Sequence, residues 1–259
     1  MAAYTRSSLQ KIDLMRKISW HTFTAMKGVQ AAGNPENKND RVGIRKVAKI
    51  WADSMLNLVG IEPIVTGKPV TNEPVLYVAN HIGYIDIPLV KSVVEVSFVA
   101  KKEVRHWPIF GPAAVSAGTA FVNRSDPESR KNVADQIGRF MVEQGRSVAI
   151  FPEGTSSMFG KPWKRGSFVV AAKFGIKVQP IRIAFNPLRP CAYIDSDHFS
   201  THLWNLLSFQ NIQAHVHFFD PIKVTDVDKE VPDIQHLVQE NYYGLLDRWG
   251  IPLEKSKDY

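Results

Sequence analysis

From residue 63 onward, short apolar runs alternate with stretches of helical composition, and no other feature restricts the fold of this chain as much. The runs at 75–79, 96–100, 119–122, 147–150, 178–185 and 214–219 have the length and the Val, Ile and Phe content of buried strands. Helical stretches fall near 86–94, 127–144 and 168–173, with a last one near 232–249. Such alternation predicts an α/β fold, a single domain over 61–259 with a mixed β-sheet flanked by helices. The full length of 259 residues is ample for one core of that kind. The segment 106–123 has no Lys, Arg, Asp or Glu but holds Pro108, Gly111 and Pro112, so it reads as a buried or substrate-facing loop. Residues 187–259 carry no usable motif and are expected to complete the sheet and its flanking helices.

Residues 1–60 form a separate N-terminal element of two helices, at 6–30 and 42–58, parted by the turn-rich GNPENKND at 33–40. Leu9, Ile12, Met15, Trp20, Phe23 and Met26 fall loosely on one face of the first helix. The whole chain carries a net +7, and residues 1–50, with ten bases against three acids, account for all of it. A basic, aromatic-bearing helix suits the surface of an anionic membrane, and the same charge would also suit a nucleic acid or an acidic protein. A helix packed on the body with solvated lysines is the structural alternative. No stretch is apolar for the ~20 residues a membrane span requires, and no secretory signal is recognisable. The single cysteine, Cys191, excludes an intramolecular disulfide framework and fits a reducing compartment.

Three places can carry chemistry. The apolar run 75–79 stops at Asn80-His81, and Asp86 follows five residues after the histidine. A helix starting at Asp86 lets the carboxylate reach one ring nitrogen, fixing the tautomer and making the other nitrogen a general base. Alone, this spacing fits a polar turn with a satisfied histidine better. The run 147–150 leads into Phe151-Pro152-Glu153-Gly154-Thr155, where proline ends the strand and glycine permits close approach of a ligand. Arg124, just past the run 119–122, can clamp a phosphate. An ordinary turn and a surface arginine are the structural alternatives.

Asn80-His81-x4-Asp86, then Gly118-x-x-Phe121-Val122-Asn123-Arg124, then Phe151-Pro152-Glu153-Gly154-Thr155, in this order, resemble the glycerolipid acyltransferase family, which includes the lysophosphatidic acid acyltransferases. Val178-Gln179-Pro180-Ile181, Phe98-Val99-Ala100-Lys101-Lys102-Glu103, Pro108-Ile109-Phe110-Gly111 and Trp163-Lys164-Arg165-Gly166 match as well. The resemblance covers about residues 50–186, and its ordered conjunction is far more specific than any one motif. The N-terminal helices resemble the membrane-docking two-helix element of such enzymes.

The resemblance implies acyl transfer from acyl-CoA or acyl carrier protein to the free hydroxyl of a lysophospholipid, 1-acylglycerol-3-phosphate first, giving phosphatidic acid. His81 would be the general base and Asp86 its orienting carboxylate. Arg124 would bind the acceptor phosphate, Glu153, Gly154 and Thr155 would position the head group, and Lys101, Lys164 and Arg165 would be further phosphate contacts. It implies no cofactor, no metal and no nucleic-acid partner, and a peripheral enzyme on the cytoplasmic face of an anionic membrane. One departure bears on the acceptor: many lysophosphatidic acid acyltransferases have arginine where this chain has Ser156, which leaves room for another lyso-lipid such as lyso-ornithine lipid.

Other classes fit less well. The serine-hydrolase pattern around Ser116 needs a strand before the serine and a helix after it, whereas here a strand follows. The stretch Gly154 to Gly160-Lys161 has five residues between the glycines where a phosphate-binding loop has four, and Pro162 replaces the magnesium-ligating hydroxyl. His198, His202, His215 and His217 with Asp195 and Asp197 form a loose metal candidate. A non-catalytic protein binding anionic lipid or nucleic acid is the alternative from outside enzymology.

Overall fold

The computed structural model describes residues 5–35, 37–107, 110–116, 118–123, 125–194 and 197–251. Two helices lead, α1 (Ser8–Ala32) and α2 (Arg41–Val59). The first starts in a capping box, with Ser7 and Gln10 each accepting from the other's backbone N–H. The second stops at Gly60, whose φ of +87° is the left-handed conformation that glycine adopts freely. Seven strands follow: β1 (Ile61–Gly67), β2 (Leu76–Ala79), β3 (Ser97–Lys101), β4 (Ala120–Val122), β5 (Val148–Ile150), β6 (Val178–Asn186) and β7 (Ile212–Phe218). Between and after them lie α3 (Asp86–Val93), α4 (Phe110–Ser116), α5 (Pro127–Gly138), α6 (Gly166–Phe174), α7 (Phe199–Leu206) and α8 (Val227–Arg248).

The strands make one sheet in the order β1-β7-β6-β2-β5-β3-β4. Every pairing is parallel except β6 with β7, so the sheet is mixed, as expected. Alternation along β2 splits the core in two. Tyr77 and Ala79 face a layer that holds Met55 and Leu56 of α2, Leu89 of α3 and Leu206 of α7, whereas Leu76 and Val78 face Val133 of α5, Phe168 of α6 and Ile234 of α8. The chain leaves β2 by α3 on one face and leaves β5 by α6 on the other. These two neighbouring strands therefore open a crevice at their carboxyl ends, where open α/β sheets bind ligands.

Several details differ from the sequence reading. β1 and α7 are additions. β1 is an edge strand with Pro63 inside it and mostly exposed side chains, so it lacks the apolar run that marks a buried strand. The uncharged segment 106–123 is no continuous loop but contains α4 and β4. The helix expected over 127–144 is α-helical to Gly138 and continues as a π-helical turn, Arg139–Glu143. On α1 the apolar residues divide: Met15 packs on the core and Met26 lines a cavity, while Leu9, Ile12, Trp20 and Phe23 face outward. A sequence projection shows the apolar positions but not which neighbour covers them.

Candidate active site

Asn80 sets the frame. It is buried at the end of β2, and its side-chain amide makes both hydrogen bonds that a strand residue would offer β6: Nδ2 donates to the Ile183 carbonyl at 2.8 Å and Oδ1 accepts from the Ile183 N–H at 2.7 Å. The strand end is pinned while its backbone is free to turn. His81 follows at once.

The turn from His81 to Asp86 brings the two predicted residues together. Asp86 is the first residue of α3, has no solvent exposure, and through Oδ2 accepts from His81 Nδ1 at 2.7 Å and from the Ile82 and Gly83 N–H groups at 2.7 and 3.1 Å. Three donors and the positive end of a helix hold this carboxylate in one place. An acceptor on Nδ1 assigns the ring proton to that nitrogen and leaves Nε2 as the basic atom. The ring stacks on Phe151, with centroids 4.1 Å apart and planes 14° apart, and keeps 19% of its side-chain surface exposed. An imidazole held by its edge and its face, with Nε2 as its basic atom, can accept a proton from a bound hydroxyl without prior rearrangement.

The loop after β5 grips the histidine's backbone. Ser157 N–H donates to the His81 carbonyl at 2.8 Å, and Glu153 Oε1 accepts from the His81 N–H at 3.4 Å. Glu153 is 4% exposed, and burial pushes its carboxyl up to about 8, with the Asp86 charge adding to the effect and the His81 N–H opposing it. The Trp163 indole N–H also favours the ionised form, yet it and Glu153 Oε2 are both buried without a full hydrogen-bond partner. Burial therefore favours the protonated form of this side chain. Gly154 turns the loop at a φ of +76°.

The other predicted residues fall less closely together. Thr155 is exposed on the same loop, and Lys101 is exposed at the carboxyl end of β3, hence on the same edge of the sheet. Lys164 is exposed, its backbone N–H donating to the Pro152 carbonyl at 3.0 Å. Arg165 is engaged elsewhere, in an ion pair with Asp228 on the first turn of α8. Arg124 lies outside the described residues, two positions beyond β4.

Residues 191–194 and 197–206 complete the site, and sequence reasoning gave them no part in it, naming His198 and His202 only as metal candidates. Tyr193 N–H donates to the Ile82 carbonyl at 3.0 Å, and Ser156 Oγ donates to the Tyr193 carbonyl. A Cβ at position 83 would meet the Cys191 carbonyl at 2.4 Å, so only glycine allows this approach. The His202 ring lies between Tyr84 Oη and the Ala192 carbonyl, each at 2.9 Å, so both of its nitrogens serve the loop. Asp195, named with it as a metal candidate, lies outside the described residues, and His217 Nδ1 is 2.9 Å from Thr66 Oγ1. Gly83 beside His81 was the one sequence signal that another backbone comes close.

A cavity of about 170 Å³ abuts this loop. That is roughly ten times the 10–15 Å³ one water needs. Tyr84 and Ile85 line it from the loop, Phe98 from β3, Met26 and Val29 from α1, and Trp51 and Met55 from α2, while Lys91 is its one charged side chain among the described residues. An apolar space of this kind accepts a hydrocarbon chain.

Against known proteins, residues 56–184 match a family model described as Acyltransferase. The chain is 31% identical over 195 residues to a lyso-ornithine lipid O-acyltransferase of Pseudomonas aeruginosa, covering 71% of this chain and 73% of that one. It is 32% identical over 207 residues to a 1-acyl-sn-glycerol-3-phosphate acyltransferase of Neisseria meningitidis, covering 74% and 75%. Its fold is similar to the crystal structure of the 1-acyl-sn-glycerophosphate acyltransferase PlsC of Thermotoga maritima, with a TM-score of 0.68 at 17% identity over 93% of this chain and 99% of that one.

Proposed function

The chain belongs to the acyltransferase family of these relatives and is an acyltransferase, and on that premise we propose that it acylates a lyso-lipid by general-base catalysis at His81. His81 Nε2 takes the proton of the acceptor's free hydroxyl as the oxygen attacks the carbonyl carbon of an acyl thioester, carried by coenzyme A or acyl carrier protein. The C–O bond forms, the C–S bond breaks, and the imidazolium returns its proton to the leaving thiolate. Asp86 steadies that imidazolium through Nδ1. The thioester is already activated, so no acyl-enzyme is required. The apolar cavity takes the acyl chain, and Glu153, Gly154 and Thr155 face the acceptor head group, with Arg124, Lys101 and Lys164 as its phosphate contacts.

One observation carries this reading: the triply anchored Asp86 carboxylate leaves His81 with a single basic nitrogen, on a loop whose Tyr84 and Ile85 line an apolar cavity. The test is His81→Ala, assayed by mass spectrometry on a panel of lyso-lipids with acyl-CoA and with acyl carrier protein. Loss of about a thousandfold in kcat with an unchanged circular dichroism spectrum is expected, since removal of one catalytic group typically costs that order. Turnover near the wild-type level would overturn the assignment.

Within this reaction, 1-acylglycerol-3-phosphate is the first acceptor to test. Ser156 favours lyso-ornithine lipid as the second. Its hydroxyl is spent on the Tyr193 carbonyl, so this position offers no cation to a phosphate.

The outer face of α1 supports work at a membrane surface. Leu9, Ile12, Trp20 and Phe23 are exposed within about 80° of one another around the helix, and Arg16 and Lys27 share the stripe. Apolar side chains flanked by cations suit the head-group region of an anionic membrane. No described helix is long and apolar enough to cross one. The enzyme then lies peripherally on the cytoplasmic face, where acyl donors are soluble.

A further inference from the structure

At the other end of the sheet from His81, a second recess of about 240 Å³ opens between α2 and the starts of β3 and β5. Arg41, Arg45 and Lys49 recur every four residues along one face of α2, and Lys46 stands beside them. Lys91 and Arg146 complete a wall of six cations, with Glu95 as the one acid lining it among the described residues.

Two of these cations meet acids, and Arg41 and Lys91 donate to backbone carbonyls. Arg45 meets Glu95 at 2.9 Å and Lys49 meets Asp53 at 3.0 Å. Arg41 donates to the Gln144 carbonyl while its Nε is buried with no partner. Lys91 Nζ donates to the carbonyl of Val96 at 3.0 Å, a neutral acceptor. Arg146 donates to Ser97 Oγ and to Gln144 Oε1 and lies over the Phe140 ring. Cations gathered this way repel one another, and a recess focuses their field on whatever occupies it. At Lys91 burial first and Arg146 second bring the ammonium down to about 8, with Glu95 opposing. A tetrahedral phosphate offsets repulsion among such cations, since it is small enough for the recess and accepts from several guanidinium and ammonium groups at once.

We propose that this recess, at the opposite end of the sheet from His81 and bordering the apolar cavity at Lys91 and Ala48, is a phosphate-binding site filled either by the phosphate of an anionic phospholipid head group or by free phosphate. The proposal stands independently of His81. Four of its six cations lie on α2, the partner of the helix whose apolar stripe faces outward, so a lipid phosphate is within the geometry of a membrane-bound molecule.

The test uses the full chain in two arms. In the first, inorganic phosphate is titrated calorimetrically against chloride at equal ionic strength. In the second, the protein is sedimented with phosphatidylcholine vesicles, with and without phosphatidylglycerol. Three variants are compared with wild type: Arg41→Gln/Lys46→Gln, which removes two recess cations; Lys17→Gln/Lys27→Gln, which removes the same charge from α1; and Arg124→Ala, at the proposed acceptor phosphate contact. Circular dichroism checks each fold, and the single Lys46→Gln change at an exposed side chain repeats the test with the least disturbance.

Free phosphate as ligand predicts binding in the first arm that weakens about tenfold in the recess variant and less in the other two. Lipid as ligand predicts no binding there, and phosphatidylglycerol-dependent sedimentation that falls about tenfold in the recess variant and clearly less in the α1 variant. The proposal is overturned if neither arm shows binding, if only Arg124→Ala removes phosphate binding, or if both double variants lose vesicle binding equally.

Discussion

A single buried carboxyl shows how far one residue's environment sets its chemistry. Glu153 keeps its proton to about 8 in the folded protein, against an ordinary value of 4.5, chiefly because burial penalises the charge. Between these two values the native state binds more protons than the unfolded chain, so this residue's contribution to stability falls as pH rises through the window and is flat above it. Glu153→Gln removes that titration. In urea unfolding at pH 5 and pH 9, wild type should lose up to about 4 kcal/mol more than the variant between the two. Equal losses would mean the carboxyl is solvated in solution. The histidine–aspartate pair differs from Glu153 in being readable beforehand. His81 and Asp86 are five residues apart, and one turn entering a helix suffices to join them. Asn80 stands next to them in the sequence, but its function lies in Ile183, 103 residues away, and no local pattern encodes that partner.

Among the elements, α1 shows where periodicity stops being informative. Its apolar positions were legible, but they serve two faces: Ile18 and Val29 are buried, while Trp20 and Phe23 are exposed. If the outer stripe enters a membrane, Trp20→Glu with Phe23→Glu should lower partitioning onto phosphatidylglycerol vesicles by tenfold or more, since each large apolar side chain contributes roughly 1.5–3 kcal/mol on leaving water. Undiminished sedimentation would rule out that face as the docking surface. The strap from Cys191 to α7 lies at the other extreme. It carries no motif, yet it shapes the loop from His81 to Asp86 through Tyr193, His202 and the glycine at position 83. Its signals are single contacts between distant segments and have no period to detect.

Across the whole molecule, the acyl cavity and the basic recess are products of assembly. The cavity wall joins residues from α1, α2, β3 and the loop after β2, and Lys91 borders the recess as well. Ala113, on α4, lines the cavity, so a larger side chain there narrows it. Ala113→Phe should therefore move acyl preference to shorter chains, with about a tenfold drop in kcat/KM for the longest accepted thioester and little change for the shortest. A chain-length profile identical to wild type would place the acyl group elsewhere.

Sequence alone determined the alternation of strand and helix, the pair of leading helices with their excess of positive charge, and the coupling of an imidazole to a carboxylate by a five-residue interval. These are short-range properties, because backbone period, capping and turn chemistry act over a few residues. Tertiary structure decided which face of α1 is covered, what holds Asn80 and the histidine loop, and where six cations meet with one acid between them. Those depend on which distant segments the sheet order makes neighbours, a choice settled by burying the most apolar surface across the whole chain.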